Sequence, residues 1–261
     1  MSVLKLKQEK APLVQLKGIY KSYGHIEALK DIYLNIYPGQ VLALVGDNGA
    51  GKSTLTKIIA GVISPDRGHI IIDGHSHFRL NPAQAIKYGI ASVYQDLALV
   101  DCRDVPTNIF LGQEIMSHRF FIDKRRMTDE SGRLLADLKI DIPEMRNPVG
   151  VLSGGQRQGV AVARAVHQGG RLILFDEPTA AMGVRESEKT LKLIKRLGRA
   201  GYAVMVISHN LHHVFALSER ICVLSRGELK GDFATCSTSP EEIIKIITGV
   251  EDEETQYQAR S

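Results

Sequence analysis

No apolar run in the sequence approaches the about 18 residues that a membrane-crossing helix needs. The longest, such as Val41–Val45 and Ala203–Ile207, are strand-sized, so the chain is not expected to span a bilayer. Met1 to Lys10 lacks the apolar stretch of a secretory signal, and the protein is expected to stay where it is made. The three cysteines, Cys102, Cys222 and Cys236, have no paired spacing, which suits free thiols in a reducing compartment rather than a disulfide scaffold. The 33 basic residues exceed the 29 acidic ones by only four, too small an excess to indicate nucleic-acid binding. Internal repeats and low-complexity tracts are also missing. What is present is an ordinary globular balance, 44% hydrophobic and 24% charged, in 261 residues, enough for one large domain or a domain with a subdomain.

Two stretches of short apolar strands and amphipathic helices bracket a more polar middle. From Pro12 to Tyr94 the chain reads as strand, glycine-rich turn, helix and strand. Val41–Val45 is the first strand, Leu55, Ile58 and Ile59 share a helix face that stops at Gly61, and Pro65-Asp-Arg-Gly68 turns the chain into Ile70-Ile-Ile72. The alternation returns with Leu172–Phe175, a helix carrying Leu191, Ile194 and Leu197, then Ala203–Ile207 and Ile221–Leu224. Such alternation predicts an α/β fold with a mostly parallel, helix-covered sheet. Residues 95–150 lack strong strand signals, and Leu134, Leu135 and Leu138 are spaced for one helix face, so a helical subdomain is expected to be inserted in the sheet domain. The expected boundaries are a first core part at 12–94, the helical subdomain at 95–165, a second core part at 166–249 and a frayed acidic tail at 250–261.

Three segments carry chemistry. The run Gly46-Asp47-Asn48-Gly49-Ala50-Gly51-Lys52-Ser53, followed by Thr54, fits G-x-x-x-x-G-K-S and lies between a buried strand and a helix. Backbone N–H groups at a helix start, unobstructed at glycine, can wrap a polyphosphate; Lys52 adds charge for its terminal phosphates and Ser53 a hydroxyl for Mg²⁺. The strand Leu172–Phe175 ends in Asp176 and Glu177. Neighbouring strand residues face opposite ways, which predicts different roles: Asp176 on the Mg²⁺ side and Glu177 as general base for an attacking water. Ser153-Gly154-Gly155-Gln156 precedes a small-residue helical stretch and offers a hydroxyl and glycine amides at a helix start, although Ser-Gly-Gly is also a common turn.

With these motifs in this order, the sequence resembles the ATP-binding cassette (ABC) ATPases, the nucleotide-binding subunits of ABC transporters, over roughly residues 13–249. The segment Leu152 to Gln156 is similar to the signature motif of that family. The resemblance implies a P-loop NTPase core with an antiparallel β portion and an α-helical insertion, ATP and Mg²⁺ as ligands, and a head-to-tail homodimer. In that dimer the 46–54 loop of one subunit faces the Ser153 loop of the other across ATP. It further implies that Tyr23 stacks on adenine, a position equally open to a packed strand tyrosine. Gln95 would reach Mg²⁺ and the attacking water, and His209 the γ-phosphate. One departure is Ala180-Ala181-Met182-Gly183, where the family usually ends a short loop in Leu-Asp, so the carboxylate of that loop is missing.

Tyr94-Gln-Asp-Leu-Ala-Leu-Val100, Asn108-Ile-Phe-Leu-Gly112, Gln156-Arg-Gln158 and Pro178-Thr-Ala-Ala-Met-Gly-Val184 resemble the bacterial monosaccharide-importer branch. Many of its members fuse two cassettes; this chain has length for one and no second phosphate loop. The implied partners are itself, two membrane permease subunits docking near Gln95 to Gly112, and indirectly a sugar-binding protein, with no nucleic acid. The implied place is the cytoplasmic face of the membrane. Basic Lys124-Arg-Arg126 reads as a solvated helix start or as facing lipid headgroups. An importer of another small solute, or a soluble cassette ATPase outside transport, remains open; a GTP switch is disfavoured because no Asn-Lys-x-Asp motif occurs. The histidine pairs His75/His77 and His212/His213 lack an acidic or cysteine cluster to complete a metal site.

Overall fold

The protein is described from a computed structural model over residues 11–117, 120–180 and 182–249; the acidic tail 250–261 and Ala181 lie outside the described residues. Strands β1 (Val14–Tyr23) and β2 (Ile26–Ile36) form an antiparallel pair, and β3 (Val41–Val45), fully buried, runs into the glycine-rich loop. Helix α1 (Lys52–Ile59) opens directly after it and buries Leu55, Ile58 and Ile59 on the predicted face. Then come β4 (Arg67–Ile72), β5 (His75–His77), α2 (Pro82–Lys87) and β6 (Ile90–Val93). The middle holds α3 (Val105–Ile109), a short hairpin of β7 (Met116–Ser117) and β8 (Phe121–Ile122), α4 (Lys124–Asp137) and α5 (Gly154–His167). The chain returns through β9 (Leu172–Asp176), α6 (Val184–Arg199), β10 (Ala203–Ile207), α7 (Leu211–Leu217), β11 (Arg220–Ser225), β12 (Glu228–Ala234) and α8 (Pro240–Thr248).

Two sheets organise the core. The six-stranded sheet has the order β12-β11-β3-β10-β9-β6, parallel throughout except for the edge strand β12. The four-stranded sheet, β2-β1-β4-β5, is antiparallel. The central strands are apolar without interruption because helices and the second sheet cover both faces. In β9, Leu172 and Leu174 point into the core shared with the antiparallel sheet, while Ile173 and Phe175 point into the core under the helices. β10 divides the same way, with Met205 and Ile207 on one side and Val204 and Val206 on the other. The period-two rule thus buries every residue of the strand.

Two features depart from the sequence reading. The strand Ile70-Ile-Ile72 reads as the next member of the parallel sheet, but β4 instead lies antiparallel beside β1, with Val14 opposite Ile72 and Leu16 opposite Ile70. The connection from α1 is a turn of a few residues, through Gly61, which leaves the helix at φ 72°. The polar middle also contains the β7–β8 hairpin beside its helices.

The phosphate loop owes its glycines to this packing. At Gly46 φ is 155°, and a Cβ there would stand 2.0 Å from the carbonyl oxygen of Leu224 on β11. At Gly51 φ is 105°, and a Cβ would stand 2.4 Å from the carbonyl oxygen of Ala28 on β2. The loop is wedged between both sheets at a distance only glycine permits. Gly49 also has positive φ, 82°, but points into open space. Gly46→Ala and Gly51→Ala should therefore each lower unfolding free energy by about 2 kcal/mol or more, and Gly49→Ala by only about 1 kcal/mol. Equal costs in chemical denaturation would contradict the wedge.

Candidate active site

Parallel pairing brings distant segments to one edge of the sheet. Ile207 of β10 sits level with Leu44 of β3 on one side and Asp176 of β9 on the other. The loop after β3, the carboxylates ending β9 and the turn after β10 therefore emerge together at the carboxyl ends of the strands, where open α/β sheets bind ligands. Gln95 leaves at the same edge, two residues after Val93 of β6, which pairs with Phe175.

The loop is stapled at several points. The amide of Ala50 donates to the Asp47 carbonyl at 3.1 Å, and the Gly227 amide donates to the Ala50 carbonyl at 3.1 Å. The Asp47 carboxylate accepts from the Asn48 amide at 2.7 Å. Lys52 folds back over the loop and its Nζ donates to the carbonyls of Gly46 at 2.7 Å and Asp47 at 2.8 Å. Burial lowers the Lys52 pKa, opposed by the attraction of Glu177, Asp47 and Asp176. Ser53 is exposed at the helix start. Half-enclosed ammonium and free amides make the loop an anion cradle.

Asp176 ends β9, and burial, then the charge of Glu177, raises its pKa, with Lys52 and Lys57 pulling it down. Glu177 departs from the strand alternation expected for it. Its φ of 48° places it in the left-handed region, and its amide donates to the Ile207 carbonyl at 3.0 Å, so the backbone turns at this residue instead of continuing the pleat. A non-glycine residue held there marks local strain that the β9–β10 pairing sustains. The turn aims the Glu177 carboxylate across the site, where Oε1 accepts from the His209 amide at 3.1 Å and lies 2.8 Å from His209 Nδ1. A carboxylate can only accept here, so Nδ1 carries the proton and Nε2 is directed outward on a ring that is 72% exposed.

The remaining predicted residues lie around this centre. Tyr23 ends β1 and is half exposed, with Lys21 Nζ 5.7 Å from its ring centroid; it is not a packed strand tyrosine. Ser153 caps α5 in a reciprocal box: Ser153 Oγ accepts from the Gln156 amide at 3.4 Å and Gln156 Oε1 accepts from the Ser153 amide at 3.0 Å. The nearest neighbours of Gly154 and Gly155 are Met182 and Glu186 at the start of α6, not the 46–53 loop. Within one chain, then, these two glycines face α6 and not the Lys52 loop. Thr190 Oγ1 donates to Met182 Sδ at 3.4 Å in the segment that lacks the usual acid.

One residue that sequence reasoning passed over ties these parts together. Arg164, about three turns along α5 from Ser153, donates to the carbonyls of Leu97 at 2.7 Å and Ala98 at 2.8 Å, and Ala98 has a φ of 48°. The helix capped by Ser153 therefore grips the loop that begins at Gln95. Its only sequence signal was an arginine amid the small apolar residues 160–166.

A buried strand, a glycine loop with lysine and serine opening a helix, and strand-end carboxylates on a neighbouring parallel strand define a P-loop nucleotide-hydrolysing domain. The sequence profile of the ABC transporter family matches residues 29–180. The chain is 43% identical over 236 residues to a xylose/arabinose import ATP-binding protein of Sulfolobus acidocaldarius, covering 90% of this chain and 94% of that one. It is 42% identical to a fructose import ATP-binding protein of Rhizobium meliloti, covering 80% and 84%. A ribose import ATP-binding protein of Escherichia coli O157:H7 is 35% identical over 91% of this chain, which spans only 47% of that protein. Among solved structures, the dimeric ADP- and phosphate-bound cassette MJ0796 superposes with a TM-score of 0.71 at 29% identity, over 85% of this chain and 98% of that one. A nucleotide-free cassette from an ABC transporter superposes with a TM-score of 0.77 at 23% identity, over 91% and 96%, which shows the fold. The chain belongs to the ABC transporter family as an ATP-binding cassette.

The raised pKa of Asp176 has a measurable consequence. A carboxyl whose folded pKa lies above its unfolded value costs stability once the pH exceeds the folded pKa, and none below the unfolded one. Asp176→Asn should raise the melting temperature of the ligand-free protein by about 2 °C at neutral pH, a gain that fades as the pH falls to about 4. A lower melting temperature in thermal scans at neutral pH would contradict burial as the dominant effect on this group.

Proposed function

We propose that this cassette is the ATP-hydrolysing subunit of a monosaccharide importer, energising transport through membrane permease subunits, and that it works as a head-to-tail homodimer. The observation that carries the chemistry is the shared carboxyl edge of β3, β10 and β9, with Glu177 held at 2.8 Å from His209. The phosphates of ATP would lie on the amides of Gly46 to Thr54, with Lys52 released from its own loop carbonyls to meet the terminal phosphates, and adenine would stack on the exposed ring of Tyr23. The hydroxyl of Ser53, the carboxylate of Asp176 and the amide oxygen of Gln95 are hard oxygen donors that fit Mg²⁺, and the burial that disfavours ionised Asp176 is relieved by a cation there. Bound Mg²⁺ supplies charge neutralisation on the β- and γ-phosphates.

In this reading Glu177 accepts the proton of the attacking water, oriented by Gln95, while His209 keeps the base aligned through its Nδ1–H and, with a second proton on Nε2, donates to the γ-phosphate. The amides of Gly154 and Gly155, with Ser153 and Gln156, would complete the site of the opposing subunit, which agrees with those glycines facing Met182 and Glu186 and not the Lys52 loop within one chain. Residues 12–94 and 166–249 form the nucleotide core and 95–165 the helical subdomain. A cleft of about 330 Å³ lies between α2, β6 and α5, and exposed Val62, Ile86, Tyr94 and Leu111 line it beside Arg164. It is the natural seat for the permease, since a push there reaches Gln95 and Ser153 through Arg164. No described helix is long and apolar enough to cross a membrane, so attachment to the inner face of the membrane would run through the permease. A monosaccharide cargo is supported by the import proteins to which the chain is similar, and delivery by a sugar-binding protein follows from it.

Replacing Glu177 with glutamine keeps shape and hydrogen bonding but removes the proton acceptor. The variant should bind ATP with unchanged affinity and lose turnover by about 100-fold or more. Retained hydrolysis in a phosphate-release assay would remove Glu177 as the base.

A further inference from the structure

A second cleft, of about 490 Å³, opens between α6, the start of α5 and the turn after α4. Lys189, Lys192 and Arg196 line it at spacings of three and four along α6, and so share one face. Lys139 lines it from the opposite wall. That residue sits in the turn after α4 with φ 53°, its amide donating to the Ala136 carbonyl at 2.9 Å, so the wall is built rather than loose. The turn approaches α5 so closely that a Cβ on Gly159 would stand 2.7 Å from Ile140 Cγ2.

Cationic side chains dominate the lining of this cleft. Four cationic side chains face one lining carboxylate, Asp141. Among the described residues no ion pair engages Lys139, Lys189, Lys192 or Arg196. Arg196 Nε is moreover buried with no hydrogen-bond acceptor. Buried donors are nearly always satisfied, so the cleft wall holds a guanidinium that is one acceptor short. Ser153 and Gln156 add polar groups at one end and Leu193 an apolar floor. The volume falls in the range of small-molecule sites, about 300–1,000 Å³.

We propose that this cleft binds a small organic phosphate of sugar-monophosphate size, with the phosphate between Lys139, Lys192 and Arg196 and the hydroxylated body towards Gln156. It is distinct from the Lys52 loop, but Ser153, Gly155 and Gln156 at its end are also the residues assigned above to the nucleotide of the opposing subunit, so its occupant would share that end with ATP. Its occupancy requires no hydrolysis at the Lys52 loop.

Calorimetric titration with glucose 6-phosphate tests it, in saturating MgADP so that the Lys52 loop is filled, with inorganic phosphate and glucose as parallel titrants. Glucose 6-phosphate should bind with a Kd of about 1 mM or below, inorganic phosphate several-fold more weakly, and glucose not at all. The double variant Lys139→Gln/Lys192→Gln changes two exposed side chains on opposite walls and should weaken glucose 6-phosphate binding about tenfold, with the affinity for MgADP unchanged. Arg196→Met, with its fold checked by circular dichroism, should act in the same direction. Absence of binding by both phosphates, binding undiminished in the double variant, or equal affinity for glucose and its phosphate would overturn the proposal.

Discussion

The parallel register of β3, β10 and β9 is the constraint on which this molecule depends. Leu44, Ile207 and Asp176 stand level across three adjacent strands, although more than 130 residues separate the first from the last. Every feature of the candidate site follows from where those strands end. The 46–53 loop, the Asp176–Glu177 pair and His209 are next to one another because hydrogen-bonded ladders cannot slip by one residue without turning buried side chains to the wrong face. Leu172, Leu174, Ile173 and Phe175 enforce that register from both faces of β9.

Packing at the edge then sets the chemistry. The second sheet presses Ala28 against Gly51 while β11 presses Leu224 against Gly46, so the loop has one available shape. Within it, Lys52 is half-enclosed and bonded to its own loop carbonyls, and the Asp176 carboxyl is disfavoured as an anion by burial. These are groups held in states that a magnesium polyphosphate would relieve, an arrangement that stores binding energy at the site rather than in the fold. Arg164 extends the constraint to the helical region, because one rigid helix carries both the Ser153 cap and the grip on Leu97 and Ala98.

Much of this was legible in the residues. Val41–Val45, Leu172–Phe175 and Ala203–Ile207 read as buried strands because continuous apolar runs of four or five residues bounded by turns are too short for a buried helix, and Leu55, Ile58 and Ile59 showed the helix face. The phosphate loop was legible because its backbone demands glycine at Gly46 and Gly51. What escaped depends on pairing at long range. Nothing in Ile70-Ile-Ile72 distinguishes a parallel neighbour from an antiparallel partner of β1, since both bury the same apolar residues. The contact of Glu177 with His209 was not readable either, because the strand was expected to continue its alternation where the backbone turns into the left-handed region. Arg164 resembled any arginine on a helix, and only the folded loop reveals its two carbonyl acceptors.

The central claim is that one chain supplies two half-sites, the Lys52 loop and the Ser153 loop, which meet only across a pair of subunits. Mixing two inactive variants tests this directly: Lys52→Ala, which cripples the loop, and Ser153→Arg, which blocks the opposing helix start. A mixed pair holds one doubly damaged site and one intact site, so ATPase activity should reappear on mixing, up to about a quarter of the wild-type value. Two folded variants that exchange subunits yet remain inactive together, or a Ser153→Arg protein as active as wild type, would contradict the account.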